Sequence, residues 1–132
     1  MSFKATANIG SKEFDVIATH YALHREVDAK GRPAGIVQGG TVEITVESTD
    51  DTSVLESMVN NQHKPLDGSI TFKKADEDAK MKELTFEKGY VIAYEETFDT
   101  VNSKAMLSTF TISAQTLKVG GAEHKNDWPG GK

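Results

Sequence analysis

His20 and His24 stand four residues apart, in H-x-x-x-H order. On one face of a helix such a pair grips a metal ion. The surrounding Phe14, Val16, Ile17, Thr19 and Tyr21 favour a strand instead. On a strand the two rings share a face but sit about 13 Å apart at ~3.3 Å per residue, too far for one ion. His63 and His124 are isolated in loop-like contexts. The histidines therefore read as solvated or interface residues, and no metal is expected.

The other reactive types fare no better. Asp76, Glu77 and Asp78 cluster among Lys73, Lys74, Lys80 and Lys82. Acid–base work would need a cleft that displaces their ionisation, whereas a mixed-sign run between strands reads as a solvated hairpin end. Glu95 and Glu96 are neighbours on a strand and face opposite ways. Ser103, Ser108 and Ser113 lie in or near a Thr-rich strand, with no G-x-S-x-G around any of them.

The stretch "VDAKGRPAGIVQGG", Val27 to Gly40, holds four of the eleven glycines together with Lys30 and Arg32. A phosphate cradle would need G-x-x-x-x-G-K-[ST] running into a helix. Here Gly31 and Gly35 are four apart, no Lys-Ser/Thr follows, and the next element is a strand. The stretch reads as a long connection between strands, of the kind that serves as a binding element. No enzyme activity and no cofactor are expected.

The elements that carry these residues are mostly strands. "FKATANI" alternates Phe3, Ala5, Ala7 and Ile9 against Lys4, Thr6 and Asn8. "EFDVIATHYALHREV" switches parity, with Phe14 and Val16 on one and Ile17, Tyr21 and Leu23 on the other, which predicts a bulge or a strand covered on both faces. "TVEITVES" is a one-face strand through Val42, Ile44 and Val46. "STDDTSVLESMVNNQ" is the helix. A capping box from Ser53 to Glu56 opens it, and Val54, Leu55, Met58 and Val59 form its apolar stripe. Gly89 is a bulge candidate in "KELTFEKGYVIAYEETF". In "AMLSTFTISAQTLKV", Leu107, Thr109, Thr111 and Ser113 share one parity and Met106, Ser108, Phe110, Ile112 and Ala114 the other. The tail after it is polar apart from Trp128. Short strands, hairpin turns and one helix predict a mainly β fold, a barrel or sandwich with the helix plugged against it. Such a sheet manages its edges either by closing or by meeting identical neighbours in a ring, and both remain open here.

At 132 residues the chain makes a single domain over 1–132, with a long loop at 27–36 and a flexible tail from about 126. It has no cysteine, so no disulfide staples it. A net charge of -5 argues against nucleic acid as a partner. "MSFKATANIG" lacks a signal-peptide core, and no stretch reaches the ~18 apolar residues of a membrane span. The expectation is a chain made in the cytoplasm, with any exit left to another device.

One family matches in length, order and coverage. Through "MSFKATANI", "YALHREVDAKGRPAG", "GGTVEITVESTDDTS", "MVNNQHKPLDGSITFKKADEDAKMKELTFEKGYV" and "STFTISAQTLKVGGAEHKNDWP" the chain resembles the Hcp tube proteins of type VI secretion, in the TssD form of Bacteroidetes. The resemblance implies a compact antiparallel β-barrel of two packed sheets with one short helix, like phage tail-tube proteins. It implies hexameric rings that stack into a tube inside a contractile sheath, expelled behind a tip spike, with effectors carried in the lumen. The family's extended loop falls on Asp28 to Ile36, which makes Asp28, Lys30, Arg32, Pro33 and Ile36 the expected ring-stacking residues. Asp76, Glu77 and Asp78 are their expected partners on the adjacent ring. The resemblance also implies a side-by-side ring contact through the first and last strands. The alternative is a non-polymerising paralogue that acts as an effector adaptor or chaperone.

Overall fold

The computed structural model describes residues 3–74, 80–98, 101 and 106–126. Seven strands and one helix follow in the order β1 (Phe3–Ile9), β2 (Lys12–Val27), β3 (Pro33–Glu47), α1 (Ser53–Asn60), β4 (Leu66–Lys74), β5 (Lys80–Thr97), β6 (Leu107–Val119) and β7 (Ala122–Lys125). They form one antiparallel sheet in the order β3-β2-β1-β4-β5-β6-β7. The sheet then rolls up until β3 pairs with β6, from Thr41 opposite Ser113 to Glu47 opposite Leu107. That ladder makes the barrel.

The alternation read in β1, β3 and β6 sets the inside of the wall. Ala7, Ile9, Val42, Ile44, Val46, Phe110, Ile112 and Ala114 are all buried. Phe14 and Phe110, two strands apart around the wall, meet edge to face at 6.5 Å. Tyr94 lies opposite Phe110 on the next strand and stacks on it at 6.2 Å. Hydroxyls join the closing ladder: Thr45 Oγ1 and Thr109 Oγ1 are 3.0 Å apart, and Ser48 Oγ and Ser108 Oγ 2.6 Å. Ser108 is thus a buried pairing hydroxyl, as a Thr-rich strand favours.

The parity switch in β2 is real and comes from bulges. Register slips relative to β3 occur between Val16 and Ala18, between Tyr21 and Leu23, and between Arg25 and Val27. Phe14, Val16, Thr19 and Tyr21 are half-buried, but Ile17 at the first slip is turned out to solvent. A second irregularity lies in β5. It centres on Lys88, the residue before the expected Gly89, whose φ is 55°. The carboxylate of Asp67 on β4 accepts the Lys88 N–H at 2.9 Å.

The helix starts one residue earlier than a Ser53–Glu56 box requires, with Thr52 and not Ser53 at the N-cap. Asp51 Oδ1 accepts the Ser53 N–H at 2.8 Å, which makes Ser53 the first helical residue. The Thr52 hydroxyl then bonds the Glu56 carboxylate. Val54 enters the core, and Met58 packs against it.

Two glycines separate the packed wall from open surface. A Cβ on Gly68 would lie 2.5 Å from Phe86 Cζ and 2.6 Å from the Asn8 carbonyl oxygen, whereas one on Gly35 would meet nothing within 4 Å. Gly68→Ala should therefore lower stability by about 1–3 kcal/mol through overpacking, and Gly35→Ala by less than about 0.5 kcal/mol. Urea unfolding midpoints of the two variants check the contrast.

Candidate assembly interface

The long loop expected over residues 27–36 is the end of a β-ribbon. β2 continues to Val27, five residues turn the chain, and β3 begins at Pro33. The strands pair through Leu23–Gly39, His24–Gln38, Arg25–Val37 and Val27–Pro33. Every residue from Ala22 to Gln38 is exposed except Asp28, which is half-buried. A lone two-stranded ribbon is marginal in water. Something local has to hold this arm in shape.

Three devices do so. At the root, Gly39 and Gly40 take φ values of 147° and 101°, which side-chain-bearing residues rarely adopt. Here β3 leaves β6, and β7 takes its place along the same edge, with Thr116 opposite Lys125 and Leu117 opposite His124. Asn126 secures the parting. Its Nδ2 donates to the carbonyls of Gly39 at 3.0 Å and Ala114 at 3.2 Å, and its N–H donates to the Gln115 carbonyl at 2.7 Å. Along the arm, Arg25 Nε donates to the Gly35 carbonyl at 2.8 Å.

The tip is closed by Asp28. Its Oδ1 accepts the N–H groups of Lys30 and Arg32, both at 2.9 Å, and its Oδ2 accepts from Arg32 Nε at 2.9 Å. The backbone adds Asp28 N–H to the Arg32 carbonyl at 2.8 Å and Gly31 N–H to the Asp28 carbonyl at 3.0 Å. Hydrogen bonding, from the Arg32 backbone N–H above all, holds the Asp28 carboxyl below its ordinary value of 3.8.

The structure thus brings Asp28, Lys30 and Arg32 together at the tip, with Pro33 as the first residue of β3, where a missing N–H is tolerated. Ile36 stands farther along, 80 % exposed, and Leu23, Val27 and Val37 are also turned to solvent. Arg32 is engaged by Asp28 within its own turn. Asp76, Glu77 and Asp78 lie outside the described residues, as does Trp128. Asn126, placed at the start of a flexible tail by its polar surroundings, is a clamp. Gly39 and Gly40 form the hinge, and nothing local in the sequence signals the partner across it.

Most strand edges are taken within the chain. β1 is paired on both sides, by β2 and β4, and β6 carries β5 on one side and β3 then β7 on the other. Along most of their length β1 and β6 are thus paired on both sides. Among the described residues the unpaired stretches include β2 beyond Val16, on the side away from β3, and β5 beyond Gly89, on the side away from β6, together with the outer side of β7 and of β3 from Pro33 to Gln38. His20 and His24 lie on the first of these, opposite Glu43 and Gln38.

The family model for hemolysin coregulated protein Hcp (TssD) matches residues 1–129. The structure of Hcp1 from Flavobacterium johnsoniae is similar at 37 % identity, with a TM-score of 0.87, covering 93 % of this chain and 99 % of that one. Hcp1 from Salmonella typhimurium shares the fold at 15 % identity, with a TM-score of 0.72, covering 94 % and 92 %. A chain of the PVC sheath–tube complex of an extracellular contractile injection system, in its extended state, shares it at 13 % identity, with a TM-score of 0.63, covering 90 % and 89 %. No curated protein matches.

Asp28→Ala should open the tip and leave the barrel intact. Amide exchange at Lys30 and Arg32 should quicken, with the thermal midpoint unchanged. Because the folded-state carboxyl lies below its ordinary value, the clasp is at full strength above pH 3.8 and is lost as pH falls through the lower folded value. Exchange in the wild type, followed by NMR from pH 6 downward, should converge on that of the variant at the acid end.

Proposed function

This chain belongs to the Hcp (TssD) family, and on that premise we propose that it is a structural subunit of the inner tube of a type VI secretion apparatus. Six copies close a ring, and rings stack into the tube. Sheath proteins surround it, a tip spike caps it, effectors ride in the lumen, and contraction of the sheath expels the assembly from the cytoplasm. Asp28, Lys30, Arg32, Pro33 and Ile36 make the contact between rings.

The observation that carries this reading is the arm. A ribbon that exposes Leu23, Val27, Ile36 and Val37 to water is unfavourable in isolation and favourable under a neighbour. Its tip is already shaped by Asp28, which reduces the ordering that docking would require. The unpaired stretches of β2 and β5 are two different surfaces, as a heterologous side-by-side contact needs if copies are to close a ring.

The reading assigns no catalysis. Among the described residues the carboxyl groups whose ionisation is displaced, Asp28 and Asp51, each shape a local turn. No helix among the described residues is long and apolar enough to cross a membrane.

Light scattering of the purified protein should give six times the 14.4 kDa of one chain, and electron microscopy should show stacked rings. Lys30→Glu with Arg32→Glu should leave the rings intact and remove the tubes. Lys30→Glu alone separates the charge from the Asp28 clasp. Normal tubes from the double variant would refute the arm's role, and single rings bound to an effector, never tubes, would make the chain an adaptor.

A further inference from the structure

We propose that Trp128, in the C-terminal segment, plugs a cleft at the root of its own chain's arm and so fixes the angle at which the arm leaves the barrel. The proposal does not depend on the tube reading.

The cleft is a product of the parting. Where β3 leaves β6 at Gly39 and Gly40, the β2–β3 ribbon and the β6–β7 hairpin diverge, with the Asn126 bonds at the apex. Between them lies a cleft of about 260 Å³, walled by Tyr21, Leu23, Val37, Leu117, Val119 and His124. Leu117 is buried, but Leu23 and Val37 are 41 % and 39 % exposed, so part of an apolar wall faces water. His124 is already engaged. Asn126 Nδ2 donates to two carbonyls, so its Oδ1 accepts, and His124 Nε2 carries the proton across the 3.0 Å between them. With that nitrogen satisfied, the walls present mainly hydrocarbon and the ring of Tyr21, which an apolar occupant would take out of water.

The chain itself supplies one. Residues 127–132, outside the described residues, read "DWPGGK" and follow Asn126 directly. Trp128 is their one large apolar side chain and the only tryptophan of the chain. It comes two residues after the apex. At ~3.3–3.6 Å per residue the backbone covers about 7 Å, and the indole adds its own length. The course straight on from β7 is taken, because β3 pairs with β6 from Ser113 onward. A cavity of ~150 Å³ takes a benzene ring; this larger cleft suits an indole.

A plug there acts where the hinge needs it. The two glycines leave the backbone free to pivot, and the Asn126 bonds hold only the apex. A side chain wedged between Leu23 and Val37 on one wall and Leu117 and Val119 on the other braces the ribbon away from the apex, where a brace has leverage.

The single tryptophan makes the test direct. In the folded full chain its emission should be blue-shifted, and its quenching by acrylamide several-fold weaker, relative to the chain in urea. Leu23→Asp with Val37→Asp should return both toward the urea values. Ile36→Asp, on the opposite face of the ribbon, should change neither. If the aspartate pair unfolds the chain by circular dichroism, Leu23→Ala with Val37→Ala gives the same test by widening the cleft, with quenching expected to rise. Trp128→Ala should quicken amide exchange in residues 22–27 and 33–38 and leave exchange at Ile44 and Ile112 as in the wild type. Wild-type emission at its urea value overturns the proposal. So does a blue shift that survives the cleft variants, or unchanged arm exchange in Trp128→Ala. Refolding the aspartate pair, or the alanine pair in its place, together with Trp128→Phe chains shows whose cleft is filled. Emission that stays as in the cleft variant alone keeps the plug within one chain; a blue shift regained in the mixture gives the cleft to a second copy's tail and overturns the proposal.

Discussion

One strand serves two sheets, and the rest of the molecule is arranged around that. From Thr41 to Glu47, β3 closes the barrel against β6; from Pro33 to Gly40 it leaves β6 to build the arm. A strand cannot leave a ladder without orphaning the partner's backbone groups. β7 meets that need by pairing with the part of β6 that β3 vacates, and Asn126 bonds both sides of the parting. Gly40 has to be glycine for a second reason. A Cβ there would lie 2.6 Å from the Asn126 amide and 3.0 Å from the Ala114 carbonyl oxygen.

The division of labour between barrel and arm follows from burial. The barrel wall faces a core that fixes register, since a one-residue slip would turn Val42, Ile44 and Val46 to solvent. The arm has no core to register against. Its geometry rests on hydrogen bonds made by a few polar side chains, Asp28 at the tip and Arg25 along the shaft. The result is an extension defined enough to present a surface and light enough to adjust to what covers it.

Much of the fold was legible because burial leaves a period. β1, the closing half of β3 and the first half of β6 each read as alternating residues, and the helix as a short stripe. The parity switch in β2 correctly indicated a bulge, but not that Ile17 would be the residue expelled. The arm was read as a loop for a physical reason. Neither face of Ala22 to Gln38 packs on a core, so no alternation is imposed, and Asp28, Gly31, Pro33 and Gly35 carry the chemistry of turns. Asn126 and the acidic groove lined by Glu13, Asp15 and Glu47 were invisible because their parts are far apart in sequence. The clamp joins residues 39 and 126, and the groove joins the start of β2 to the end of β3. The expected Asp76, Glu77 and Asp78 contact falls outside the described residues.

The closing ladder also sets an order of events during synthesis. Each strand up to β5 can pair with a close neighbour in sequence through a hairpin, and β4 then returns over about sixty residues to β1. The join of Thr41–Glu47 to Leu107–Ser113 cannot begin until more than a hundred residues have left the ribosome. Its span, 60 positions from Glu47 to Leu107, is about as long as the 59 from Ile9 to Gly68, so the two joins share the largest closure entropy of the wall. Until then Val42, Ile44 and Val46 have no cover from β6, and the hinge at Gly39–Gly40 has no clamp. A nascent chain thus exposes its arm before it owns a barrel.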